Sequence, residues 1–459
     1  MRDPGGVLLV ACYELGHQPL SLASPLAMLR ARGFRPAVVD ASLDAVDDDV
    51  LRAARLVAIA TPMHTALRVG VGVAERARAV NPAAHICFYG LYAHLNADYL
   101  LREWADSLIS GEYEEALCGL AAALDRGDSQ PPPGVRTREQ SAAPVLRRVP
   151  LSVPARDALP PLDRYAWLDD GQGHVVKAGY VEATRGCLHT CNHCPITPVY
   201  GGRFFAVPRD VVLADIRAQV AAGARHITFG DPDFLNGPKH SLMLARALHS
   251  EFPEVTFDAT IKVEHIIERH DLFAELGALG CSFVVSAVES LSPRVLERLG
   301  KGHTRADVSA ALGILRDARI PMRPTFVAFT PWTTADDFME MLRFVAEEGL
   351  AGAVDAVQYP LRLLIPPGSP IATLDDAPAW LTELDEPNFS WGWRHPDPRM
   401  DALQAALWEH VARIAPGQPG ETTFVEVAAI ASERLGLPGV PPPARSRRPI
   451  PHLTEAWFC

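Results

Sequence analysis

The chain has 459 residues, room for about three domains at roughly 100–200 residues each. Hydrophobic residues make up 48% and charged residues 21%, a globular balance that excludes wholesale disorder. A net charge of −12 leaves no basic field for a nucleic acid backbone, so nucleic acid binding is excluded as the main activity. Residues 7–11, 36–40, 56–60 and 85–89 read as buried strands, each followed by a turn and a helix-period segment. The helical patterns at 20–32 and 66–80 stop at Gly33 and before Pro82. A fifth unit, 106–110, leads through Gly111 into a helix beginning at Glu112. Five such units predict a Rossmann-like, doubly wound parallel sheet over residues 1–126, with any ligand over the strands' carboxyl ends. Those ends are residues 12–13, 40–41, 61–64 and 90–92.

Residues 127–172 break the pattern with Pro131, Pro132, Pro133, Pro150, Pro154, Pro160 and Pro161 and read as a linker or strap. Alternation resumes at 175–181, with further strand candidates at 226–229, 256–259, 283–287, 324–329 and 354–359. Helical segments at 208–222, 238–250, 306–316 and 335–347 lie between them. Six strands over 173–372 predict an α/β architecture with a partial (β/α)6 barrel rather than a complete eight-stranded one. Residues 373–459 form a small C-terminal extension with helices near 400–414 and 425–435. The N-terminus runs from Met1-Arg2-Asp3-Pro4 into a strand and reads as no secretory signal. No stretch approaches the roughly 20 apolar residues of a membrane span. Eight cysteines in so long a chain do not suggest a disulfide framework. The expectation is a cytoplasmic protein with a metal site.

That site is the stretch Thr184-Arg185-Gly186-Cys187-Leu188-His189-Thr190-Cys191-Asn192-His193-Cys194-Pro195, placed where the first barrel strand ends. Cys187, Cys191 and Cys194 on one loop can each take one iron of a cubane cluster, leaving the fourth iron for a small molecule. Structural zinc normally uses four protein ligands and would need His189, His193 or a distant residue. Strand–loop–helix context and spacing favour iron–sulfur.

Here the chain resembles the radical S-adenosylmethionine (SAM) enzymes, whose signature is a CxxxCxxC loop after the first strand of a partial barrel. More closely it resembles the subgroup with an N-terminal cobalamin-binding-type domain, over about residues 5–370. The resemblance implies a 4Fe–4S cluster on Cys187, Cys191 and Cys194, with SAM chelated at the open iron. One electron, from a donor such as a flavodoxin or ferredoxin, then cleaves SAM, commonly to a 5′-deoxyadenosyl radical. Phe229-Gly230-Asp231-Pro232-Asp233-Phe234 stands at the second strand's end, where the family contacts the SAM amino group. Val288-Glu289-Ser290, followed by Lys301-Gly302, resembles the strand-four segment near SAM, and residues 329–333 occupy the strand-five position. Gly230, Asp231, Asp233 and Glu289 are therefore the expected SAM contacts. The family usually places an aromatic residue just before the third cysteine. Here it is His193, whose imidazole can still pack on the adenine.

Plainer readings exist for each residue. His189 and His193 also read as solvated loop histidines, Asp231 and Asp233 as turn or cap carboxylates, and Glu289 as a salt-bridged strand end. Arg323 and Arg362 suit either a substrate carboxylate in the barrel mouth or structural ion pairs.

Cobalamin domains with a protein histidine ligand carry Asp-x-His-x-x-Gly after the first strand. Residues 12–18, Cys-Tyr-Glu-Leu-Gly-His-Gln, do not match, so any cobalamin would be held without a histidine ligand. Gly111-Glu112-Tyr113-Glu114 resembles the Gly-Glu-x-Glu turn of such domains, and is also good helix N-terminal chemistry. The tail, ending at Cys459, has a thinner resemblance to radical SAM proteins that end in Cys-Cys-Ala-Glu-Pro or its selenocysteine variant. That would make Cys459 a thiolate for a thiophilic substrate. The expected function is group transfer from SAM to a small molecule, with cobalamin-dependent methyl transfer first. The second reading is transfer of a 3-amino-3-carboxypropyl group to an acceptor such as trivalent arsenic. A reading of another class, a non-catalytic zinc- or cluster-binding sensor, is disfavoured because a sensor needs no SAM pocket.

Overall fold

The computed structural model describes residues 1–415, 417–444 and 450–455. Its N-terminal sheet contains β1 (Val7–Ala11), β2 (Ala37–Asp40), β3 (Leu56–Ala60), β4 (His85–Tyr89), β5 (Ser107–Ile109) and β6 (Val135–Arg136). The spatial order is β2-β1-β3-β4-β5-β6. The first five strands are parallel, and β6 returns antiparallel. Every residue of β1 and β3 is buried, as a parallel sheet covered on both faces requires. Apolar runs such as Val-Leu-Leu-Val-Ala therefore read as strands without alternation. The order 2-1-3-4-5 has its switch point between β1 and β3, the place where such folds bind ligands.

The second sheet takes β7 (Trp167–Asp169), β8 (Val175–Val181), β11 (His226–Phe229), β12 (Thr256–Thr260), β13 (Cys281–Glu289), β14 (Met322–Phe326) and β17 (His452–Leu453). A hairpin of β9 (Thr184–Gly186) and β10 (Phe204–Ala206) follows β8. A second hairpin, β15 (Leu381–Asp385) with β16 (Ser390–Trp393), lies beyond the sheet. The order β14-β13-β12-β11-β8-β7-β17 leaves the sheet open, with five parallel strands from β8 to β14. Helices Arg209–Ala221, Pro238–Glu251, Arg305–Asp317 and Ala335–Glu347 fall close to their expected places. The last two begin with reciprocal capping boxes, Thr304 with Asp307 and Thr334 with Asp337, each cap worth about 1 kcal/mol.

One expected strand is absent. Residues 354–359 form a 3-10 turn, Ala356–Gln358, instead of a sixth strand. The Gln358 side chain accepts from the Phe326 N–H at 2.8 Å, doing for β14 what a strand partner would do. The sixth position is filled by an isolated bridge between Phe329 and Arg362. The proline-rich segment is also more than a spacer, since it supplies β6 to one sheet and β7 to the other. Its Arg156 forms a buried ion pair with Asp215 at 2.8 Å and donates to Tyr180 O.

Candidate active site at the cysteine loop

Gly186 ends β9 with φ +77°, and a Cβ there would lie 2.4 Å from Arg203 O. The glycine lets the chain turn out of the hairpin directly into Cys187. Cys187 and Cys191 are buried and Cys194 is half-buried. All three are free thiols. Burial pushes the Cys194 thiol up to about 11, against the Ile196 N–H, with Cys191 and Cys187 adding to the rise. Burial also raises Cys187, against a bond from the His189 N–H. Mutual repulsion means that the sulfurs face a common space, and their deprotonation needs a metal to offset it.

Two buried lysines approach that space. Lys262 Nζ lies 3.8 Å from Cys191 Sγ, and Lys301 lowers Cys194. Asn236 Oδ1 accepts from the Leu188 N–H at 3.2 Å and stands 3.8 Å from Cys187 Sγ. Sequence reasoning missed Lys262 and Asn236. A signal was present for the first: the chain has only four lysines, at 177, 239, 262 and 301, and two of them are buried here.

Both loop histidines are paired with carboxylates. His193 Nε2 lies 3.4 Å from Glu289, while His189 faces Asp233 at 3.5 Å and Glu264 at 3.7 Å. The donor set is thus three thiols without a fourth loop ligand. This fits a cluster with one open iron better than a closed zinc site.

The strand-end residues divide between two tasks. Both Asp231 oxygens bind the start of the loop, accepting from Ala183 N at 2.9 Å and Thr184 Oγ1 at 2.5 Å. Burial nevertheless raises its carboxyl to about 7. Gly230 has room for no side chain, because a Cβ would lie 2.1 Å from the Tyr180 ring. Asp233 caps the turn Phe234–Asn236 through Leu235 N and meets His265 Nδ1 at 2.7 Å. Burial alone would raise Asp233, but the two imidazoles outweigh it and hold it low. Glu289, at the end of β13 with φ +63°, lies 3.5 Å from Lys301 Nζ. There too burial pushes upward, and Lys301 and His193 bring the carboxyl down to about 2. Arg323 and Arg362 form ion pairs with Asp355 and Asp401 at 2.6 Å. Trp332 of the strand-five segment is buried and donates to Asp376. Cys459 lies outside the described residues.

The cysteine loop borders a solvent-open cavity between the two sheets, with about 1030 Å³ of free space when the solvent at its mouth is counted. Glu14, Thr61, Met63, Gly90 and Gly111 line it from the carboxyl ends of the N-terminal strands. Tyr180, Glu182, Arg185, Gly186, Ile196 and Gly230 line it from the barrel. His17 stacks on Tyr180 with centroids 4.6 Å apart, and burial lowers it to about 4. Arg185, just before the cysteines, pairs with Glu114 at 2.6 Å, Glu182 at 2.8 Å and Glu112 at 3.3 Å. The N-terminal Gly-Glu-x-Glu turn thereby grips the cysteine loop.

Residues 181–345 match the Radical SAM superfamily. An uncharacterised methyltransferase of Pyrococcus horikoshii is 24% identical over 285 residues, 59% of this chain and 60% of that protein. A tRNA-2-methylthio-N(6)-dimethylallyladenosine synthase of Klebsiella pneumoniae is 25% identical over 212 residues, 43% of each. These matches span at most about three-fifths of the relatives' length. Among solved structures, the radical SAM methyltransferase TsrM of Kitasatospora setae, with cobalamin and a [4Fe-4S] cluster bound, superposes with a TM-score of 0.63. Its identity is 16%, over 94% of this chain and 89% of that one. The cobalamin-dependent radical enzyme OxsB, in its apo form, gives 0.72 at 14% identity over 90% and 67%. The matched segment contains the three loop cysteines, Asp231, Asp233 and Glu289, and this chain carries a radical SAM domain, with the 4Fe–4S cluster and SAM that such a domain implies.

Proposed function

We propose that the protein is a radical SAM transferase that methylates a small molecule with the help of cobalamin held in the cavity between its sheets. The observation that carries this is the shared wall. Thr184, Arg185, Gly186 and Ile196 flank the cysteines and line a cavity whose far side is the ligand-binding edge of a doubly wound sheet. The cavity suits a corrinoid in character. Gly90 and Gly111 keep the strand ends bare at φ +110° and +75°, and Glu14 and Glu182 on the cavity wall are held in place by the Leu20 N–H, Ser21 and Arg185. When bound, the cluster supplies the electron that opens SAM and the iron that chelates it, and cobalamin supplies a methyl carrier.

The chain's own residues hold and shield these groups. Cys187, Cys191 and Cys194 grip the cluster, and Lys262 and Lys301 offset thiolate charge. Glu289, fixed by Lys301 and His193, presents a carboxylate at the end of β13 for the cationic end of SAM. The Asp231 carboxyl, tied to Ala183 and Thr184, sets the loop's departure from β8. The wall of Tyr180, Met63 and Ile196 keeps water from the space beside the cysteines. The net charge of −12 favours a small acceptor over a nucleic acid.

The test is product analysis after anaerobic reconstitution with SAM and a strong reductant, with and without hydroxocobalamin. S-adenosylhomocysteine that appears only with cobalamin, together with 5′-deoxyadenosine, supports methyl transfer. Methylthioadenosine with an aminobutyrate fragment overturns it, as does protein that retains no cobalamin.

A further inference from the structure

Beside the cysteine loop, and not pointing at it, is a second set of metal-type donors. His189 Nε2, Asp233 Oδ2 and His265 Nδ1 come from three different elements and lie within 4.8 Å of one another. His189 is on the loop, Asp233 follows β11, and His265 is in the helix Val263–Glu268. The Asp233 side chain is wholly buried. Its Oδ1 caps Leu235 N, while Oδ2 has no hydrogen bond, and neither do His189 Nε2 or His265 Nδ1. Both imidazoles therefore face Asp233 Oδ2 at ion-pair distances, 2.7 Å and 3.5 Å, without an aligned hydrogen bond among the three atoms. Two imidazole nitrogens and one carboxylate oxygen drawn together in this way form a donor set that one cation at their centre would engage at once.

Spacing and surroundings agree. Metal–ligand bonds of about 2.0–2.2 Å in a tetrahedron place ligand atoms roughly 3.3 Å apart. The 3.5 Å between His189 and Asp233 fits this, and the 2.7 Å between His265 and Asp233 needs to open by about half an ångström. His189 also shows the second layer expected of a metal-bound imidazole. Its other nitrogen, Nδ1, faces Glu264 at 3.7 Å, and Glu264 is itself held by Lys262. A carboxylate behind the ring favours Nδ1–H and leaves Nε2 as the ligand. His189 keeps 21% of its side chain exposed, which gives an ion a way in.

We propose that His189, Asp233 and His265 bind a divalent transition cation, zinc or ferrous iron, in a mononuclear site that uses none of the three cysteine thiols. Two imidazoles and one carboxylate are a donor set of the borderline-soft class. Three protein ligands leave at least one position open, the arrangement of an ion that takes an exchangeable ligand instead of bracing the fold. Glu264 orients His189 without touching the ion. This site does not depend on whether the cavity holds cobalamin.

The test uses the full chain with its cluster reconstituted anaerobically, exposed to zinc chloride and freed of excess by gel filtration. The expected result is about one zinc per chain, with an X-ray absorption shell of nitrogen and oxygen and no sulfur. His265→Ala should weaken zinc binding at least 100-fold, and Glu264→Gln about 10-fold, with iron and sulfide contents unchanged. Asp233→Asn, which keeps the cap on Leu235, is judged in the same way if His265→Ala also lowers iron. Zinc uptake that is absent, that shows sulfur in the shell, or that survives the substitutions at 265 and 233 overturns the proposal.

Discussion

Glu289 combines a left-handed backbone, at φ +63°, with a buried charge. The first costs on the order of 1–3 kcal/mol for a residue with a side chain, so the surroundings must hold it. Lys301 and His193 do so, and each stands near a cluster cysteine in space or sequence. Replacing Glu289 with Gln leaves the buried Lys301 without its counter-charge, and destabilisation of about 3–5 kcal/mol is expected in denaturant unfolding. A loss below 1 kcal/mol would show that Lys301 is already satisfied elsewhere. The pH sign follows from the low folded value. Stabilisation from Glu289 is complete above the unfolded value of about 4.3 and is lost as pH falls toward 2, so the Gln variant should lack that part of the acid limb. The cysteines were legible because three thiols at that spacing have few other uses. Lys262 and Asn236 were not, because their roles exist only once β11 and β12 lie side by side. Asp231 and Asp233 were legible as important, but a motif does not reveal that one carboxylate is spent on Ala183 and Thr184 and the other faces two imidazoles.

The hairpin of β9 and β10 is the element on which the site depends. It aims the cysteine loop, and Asp231, Arg185 and Gly186 secure it from three directions. Gly186→Ala adds a left-handed penalty of about 1–2 kcal/mol and a Cβ driven against Arg203 O and the Tyr200 ring. Iron retained after reconstitution should fall by half or more, while the far-UV spectrum is kept. Full iron content would mean that the hairpin is dispensable for the loop. Most helices could be read from the sequence because caps and glycines mark their ends, as at Thr304, Thr334 and Gly436. The run at 354–359 misled because apolar residues buried in a turn resemble those of a strand. Only the fold shows Gln358 bonding the Phe326 N–H with its side chain.

Across the whole molecule, the cavity is acidic and partly closed to water. Burial raises Glu14 and Asp231, the second just behind the cavity wall, to about 7 each. Between about pH 4 and 7 the folded chain therefore holds more protons than the unfolded one, and stability falls as pH rises through that window. Ligand-free protein should melt at a lower temperature at pH 8 than at pH 6, and Asp231→Asn should flatten the difference. An unchanged slope in that variant would place the effect elsewhere. If cobalamin fills the cavity, hydroxocobalamin at 100 times its dissociation constant should add about 2.7 kcal/mol. The parallel strands of both sheets were legible from periodicity, but the short strands β6, β7, β9, β10, β15, β16 and β17 were not. Which strands become neighbours was not, since the switch between β1 and β3 and the sharing of 127–172 between two sheets are decided by packing.

That shared segment has one more effect. It closes the far flank of β5 with β6 and that of β8 with β7, and with β17 of the C-terminal region paired onto β7 both sheets end on that side in strands two residues long. An edge so short offers a neighbouring molecule almost no unpaired backbone to extend. Deleting residues 127–172 would remove β6 and β7 and bare the flanks of β5 and β8, and such a chain should self-associate through strand pairing.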